Sequence, residues 1–138
     1  MMKKSYRELE IKSSFSAARQ VEDEIVRKAQ ACGHDEEVVF AVRLSLEEAM
    51  SNAIRHGNVG DISKKINVRY HVDANSIDVY VGDEGQGFDP SDVPDPTMVE
   101  RLEYPSGRGI MLMRAYMNEV HYNERGNEVR LIKLDRAS

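Results

Sequence analysis

Residues 65–87 read KINVRYHVDANSIDVYVGDEGQG. Ile66, Val68, Tyr70 and Val72 alternate with Asn67, Arg69 and His71, and Ile77, Val79 and Val81 alternate with Asp78, Tyr80 and Gly82. A period of two puts each apolar set on one face of an extended chain, which predicts half-buried strands over 65–72 and 76–82. Ala74-Asn75 lies near the turn between them, so the pair predicts an antiparallel hairpin. The hairpin runs straight into Asp83, Gly85 and Gly87, where the alternation stops.

Upstream, residues 6–12 (YRELEIK) alternate in the same way and predict one more strand. After Ser13-Ser14 the spacing changes: Ala18, Val21, Ile25, Ala29 and Cys32 recur at helical intervals until Gly33. A second and longer helix is predicted from Asp35, an N-cap residue followed by Glu36 and Glu37, to Gly57. Downstream, residues 83–109 hold all four prolines and four of the nine glycines, the signature of a long binding loop or lid. Gly109 then leads into a short helix carrying Ile110, Met113 and Met117, and strands over 119–124 and 127–134 close the chain around Gly126. The order β-α-α-β-β-loop-α-β-β predicts the α+β class, a two-layer α/β sandwich with helices packed on one face of a mostly antiparallel sheet.

Composition narrows the function. The chain has 138 residues, 41% hydrophobic and 31% charged, which suits one folded domain. Nineteen Lys+Arg against 24 Asp+Glu give a net charge of −5, a poor match to nucleic acid. Nothing approaches the roughly 18 apolar residues of a membrane span, and Met1-Met2-Lys3-Lys4 is not followed by a signal-type apolar region. A lone cysteine, Cys32, reads as a buried small apolar residue in a reducing compartment, so a cytoplasmic location is expected, with no contact to membrane.

Three segments carry chemistry. In LSLEEAMSNAIRHGN (44–58), Glu48 and Asn52 lie one turn apart, on a stripe with Ala41, Ser45 and His56 that is separate from the apolar stripe of Val38, Val42, Leu46, Ala49 and Ala53. An amide oxygen there suits Mg²⁺ and a carboxylate suits a proton, although such a pair by itself is more often a solvated helix face. Asp83-x-Gly85-x-Gly87 places a carboxylate at a strand end beside backbone that admits close approach, fit to accept from an adenine amino group, or else forms an ordinary turn. Gly107-Arg108-Gly109 opens a helix whose free amides suit a phosphate chain, or is a plain helix-entry loop. No P-loop lysine, dinucleotide glycine set, HExxH pair or GxSxG elbow is present.

Taken in order, these segments resemble the GHKL ATPase superfamily, and within it the small anti-sigma regulatory factor type of serine/threonine protein kinase. Glu48-x-x-x-Asn52 is similar to its N box, Asp83-x-Gly85-x-Gly87-Phe88 to the first glycine box, and Gly107-Arg108-Gly109-Ile110 to the second. The resemblance covers residues 14–134 and implies the histidine kinase-like ATPase fold over a single domain, 1–138, with an ATP lid at about 89–106. It implies ATP and Mg²⁺ as cofactors, Glu48 as general base, Asn52 as Mg²⁺ ligand and Asp83 as adenine acceptor. Gly85 and Gly87 would flank adenine, with Gly107, Arg108 and Gly109 against the phosphates. Asn127, after Gly126, stands where a threonine is usual. No phosphoacceptor-histidine helix precedes the domain, so a conventional sensor histidine kinase is not expected. The implied function is a kinase switch whose partners are a STAS-type anti-anti-sigma protein, a sigma factor, or both; homodimerisation stays open. The competing expectation is a nucleotide-gated protein-binding module with little or no phosphotransfer.

Overall fold

The computed structural model describes residues 5–85 and 107–135. Five strands, β1 (Arg7–Lys12), β2 (Lys65–Val72), β3 (Ser76–Asp83), β4 (Glu119–Tyr122) and β5 (Glu128–Leu134), form one sheet in the order β1-β2-β3-β5-β4. Every described pair is antiparallel. Three helices, α1 (Phe15–Ala31), α2 (Glu36–Asn52) and α3 (Gly107–Tyr116), pack on one face, which is the α+β two-layer sandwich expected from the sequence.

Register follows from the alternation. Val68 pairs with Val81 and Tyr70 with Val79, while Val79 and Val81 pair with Leu131 and Val129, so one sheet face is apolar across β2, β3 and β5. A slip of one residue would turn all of these side chains to solvent. Ile25, Val42, Leu46, Met50 and Met113 from the helices meet that face and are fully buried. Truncating a buried Leu or Ile at such a position to Ala typically costs about 2–5 kcal/mol. The helices start where their caps dictate: Ser14 Oγ accepts from the Ala17 N–H at 3.2 Å and Asp35 Oδ1 from the Val38 N–H at 2.9 Å. Each cap contributes about 1 kcal/mol.

Two local expectations change. Cys32 is only half-buried, because it sits at the C-cap of α1, where the chain turns through Gly33 at φ 90° instead of continuing the buried face. Helical structure does reach Gly57, but its last five residues, Ala53–Gly57, form a π-turn. The implied lid at 89–106 lies outside the described residues.

Candidate functional site

The site grows from the end of α2. In the π-turn the Asn58 N–H donates to the Ala53 carbonyl at 2.8 Å, five residues back, so the turn carries one residue more than an α-turn. This sets Gly57 and Asn58 against the end of β3. Asn58 is fully buried; its Nδ2 donates to Ser13 Oγ (3.0 Å) and the Lys65 carbonyl (3.1 Å), and its Oδ1 accepts from the Glu84 N–H (2.9 Å). One side chain thereby ties the approach to α1, the start of β2 and the loop after β3. Val59 follows at φ 53°, a left-handed conformation costly for a β-branched residue and held in place by the anchored neighbour.

Asp83 ends β3 on the helix-covered face, paired with Ile66. Its Oδ1 accepts from the Gly85 N–H at 2.7 Å, and its backbone N–H donates to the Asn127 carbonyl at 2.9 Å. Asn127 also points Nδ2 at the Asp83 carbonyl (3.4 Å) and takes a bond from Asn123 Nδ2 (2.8 Å), so it braces the strand that carries the acid. Burial raises the Asp83 carboxyl to about 6, against the opposing pull of the Gly85 amide, Lys64 and Arg125. Space there is set by missing side chains: a Cβ on Gly57 would lie 2.2 Å from Asp83 Cγ, and one on Gly85 would lie 2.1 Å from the Gly57 carbonyl oxygen.

The acid and amide of α2 meet the start of α3. A Cβ on Gly109 would lie 2.7 Å from Glu48 Oε2 and 3.6 Å from Asn52 Nδ2, so the backbone of the first α3 turn rests on both side chains. Ala41, Ser45 and His56 of the same stripe are buried, and Glu48 and Asn52 are half-buried. The stripe is a covered face, not a solvated one. Asn52 Nδ2 is buried without a hydrogen-bond partner among the described residues.

The structure thus brings the expected residues together in two groups, Asp83, Gly85 and Asn127 at the β3 end, and Glu48, Asn52 and Gly109 at the α2–α3 contact. Gly87 lies outside the described residues, and of Gly107 and Arg108 only the helical backbone is described. Reading the sequence missed the roles of Gly57 and Asn58; their only signal was a Gly-Asn pair directly after the helix that carries the stripe. It also missed Glu22 on α1, which is buried and raised to about 7, first by burial and then by the Glu47 carboxylate, with Arg19 and Arg43 opposing. Among the described residues no cluster of three acidic, His or Cys side chains suits a metal ion. Nor is any helix among them long and apolar enough to cross a membrane.

A helix-layered antiparallel sheet with an acid at an inner strand end, an acid and amide one turn apart, and a glycine-led helix packed on them is the layout that the resemblance to the histidine kinase-like ATPase class implied. The family model of the histidine kinase-like ATPase domain matches residues 11–133, and the chain belongs to that family. It is similar to the serine-protein kinase RsbW of Listeria innocua, 26% identical over 107 residues, covering 70% of this chain and 66% of the relative. The serine/threonine-protein kinase BtrW of Bordetella bronchiseptica is 25% identical over 88 residues, covering 62% of each chain. RsbW of Bacillus subtilis is 28% identical over 112 residues, covering 76% of this chain and 70% of the relative. The match thus spans just under two thirds of the length of the first two relatives. Among solved structures, the RsbU and RsbW domains of Rv1364c from Mycobacterium tuberculosis share the fold, with TM-score 0.64 and 16% identity over 96% of this chain and 33% of that one.

Proposed function

We propose that the chain is an Mg-ATP-dependent serine/threonine protein kinase that acts as an anti-sigma-type switch. One observation carries the reading: the start of α3 packs on an acid and an amide one turn apart on α2, and the amide nitrogen has no hydrogen-bond partner among the described residues. Asn52 offers an amide whose nitrogen has no internal partner. Asp83 offers a carboxylate, desolvated by burial, to the adenine amino group. Gly109 brings backbone amides of the first α3 turn beside Glu48 and Asn52, where phosphates gain from the helix dipole. The donor set suits Mg²⁺, which takes one or two protein ligands and completes its shell with phosphate oxygens and water; Asn52 Oδ1 is the ligand assigned here. Bound there, the ion would neutralise phosphate charge.

Glu48 accepts the proton of a partner serine or threonine hydroxyl as that oxygen bonds to the γ-phosphorus; the bond from phosphorus to the β–γ bridging oxygen breaks and ADP leaves. The segment 89–106 is assigned as the ATP lid from its sequence and its place between the two glycine boxes. The partners proposed are a small STAS-type protein, as phosphoacceptor, and a sigma factor, as the protein sequestered; the names of the relatives as serine and serine/threonine kinases support this class of substrate.

Calorimetry with ADP and Mg²⁺, joined to phosphotransfer on a STAS-type substrate, tests the reading. Glu48→Gln keeps the shape of the side chain and removes the base. It is expected to bind ADP as the parent does and to lose about a hundredfold or more of phosphotransfer. Unchanged transfer in the variant removes Glu48 from the chemistry. ADP binding with no transfer by the parent chain leaves the nucleotide-gated module in its place.

A further inference from the structure

Two buried side-chain polar atoms lack a hydrogen-bond partner among the described residues, Ser45 Oγ and Asn52 Nδ2. Their places are not independent. Ser45 stands three residues before Glu48 and Asn52 four after it, so on a helix the two orphans bracket one carboxylate along a single face. A phosphate oxygen of the proposed nucleotide would accept from Asn52 Nδ2. Ser45 is different: it is 1% exposed, lies one turn toward the α2 N-terminus, and is closed off from water.

A serine inside a helix commonly turns its hydroxyl back to the carbonyl four residues earlier. Ser45 makes no such bond. Its hydroxyl therefore has a proton to give, and a carboxyl group that can accept it stands one turn on. Rotation about one side-chain bond redirects the donor. We propose that Ser45 is a positioning residue for Glu48: in the nucleotide-bound protein its hydroxyl donates to the Glu48 carboxylate, fixing its direction and keeping it ionised, ready to take the substrate proton. The proposal rests on the assignment of Glu48 as base.

A hydrogen bond to the ionised form lowers a carboxyl's proton affinity, and removing the donor raises it. The test is a carbon-detected NMR titration of the Glu48 carboxyl in the full chain saturated with ADP and Mg²⁺, for the parent, Ser45→Ala and Ser45→Thr. Ser45→Ala is expected to raise the Glu48 midpoint by about one unit and to leave ADP affinity within about twofold, since Ser45 touches no ligand. Ser45→Thr, which restores a hydroxyl, returns the midpoint toward the parent value. The acid limb of the phosphotransfer profile moves with it. ADP bound normally with an unmoved or lowered midpoint in Ser45→Ala overturns this proposal alone. A parent chain that binds no ADP overturns the nucleotide reading and the proposal with it.

Discussion

Strand β3 carries two aspartates five residues apart, Asp78 and Asp83, and the protein treats them in opposite ways. Asp78 lies on the sheet face away from the helices and is 1% exposed. Its Oδ1 and Oδ2 accept from Arg130 Nε and Nη2 at 3.0 and 2.7 Å, and the Tyr6 hydroxyl closes over it at 2.5 Å. The neighbouring Tyr80 ring is held by Arg69 at 4.0 Å and Arg130 at 5.0 Å. That network raises Tyr6 to about 12, by burial and by the adjacent acid, and pushes Arg130 up too. Asp83, on the helix-covered face, receives the single Gly85 amide among the described residues and is raised to about 6 by burial. A carboxylate whose bonds are all supplied by the fold stabilises it; one buried with fewer bonds is the one the proposed function gives to a ligand.

Breaking each aspartate separates these roles. Asp78→Asn removes a buried charge from a bidentate pair, and because Arg130 is 37% exposed at its side chain it recovers some water. Denaturant unfolding is expected to show a loss of about 2 kcal/mol, with ADP affinity unchanged. Weaker ADP binding there would tie the open sheet face to the site.

Asp83→Asn is expected to do the reverse. Losing the charged acceptor lowers ADP affinity about tenfold, read by calorimetry. The folded carboxyl sits above its ordinary value of 3.8, so the stability linked to it is complete below that value and is lost as pH rises through about 6. An asparagine never ionises, so above pH 6 the variant is expected to be more stable than the parent. A less stable variant with full ADP affinity would mean that Asp83 belongs with Asp78.

The smallest effect sharpens the contrast through pH. If the ionised carboxylate takes the adenine amine, ADP affinity falls as Asp83 protonates, by about fourfold at pH 5.5 for a group near 6. Asp83→Asn should flatten that dependence, whereas Asp78→Asn should preserve it.

The sequence placed Asp78 on the polar side of an alternating strand and Asp83 directly after it, without showing what pairs with either acid. What it revealed was local: the hairpin over 65–82, the stripe on α2, and the glycine turn after Asp83, because periodicity and turn chemistry act over a few residues. It did not reveal that β5 lies between β3 and β4, since strand order depends on chain ends meeting at long range. For the same reason it did not show Arg130 reaching Asp78 across 52 residues or Asn58 reaching Ser13 across 45. The residues that hold the site open were therefore less legible than the residues that face it.

The π-turn at Ala53–Gly57 has a consequence for how this chain tolerates changes in length. Such a turn is an α-turn that has accepted one additional residue. Deleting one residue between Ala53 and His56 would let ordinary helical bonding close the gap, with little harm to α2 itself. It would also swing Gly57 and Asn58 by about 100° around the helix axis, away from Asp83 and Glu84. The deletion would spare the helix and dismantle the proposed adenine end of the site, whereas one residue removed from the exposed stretch 61–63 falls on a surface loop that can absorb it. The reading frame of this short turn, more than its composition, is what joins helix to strand.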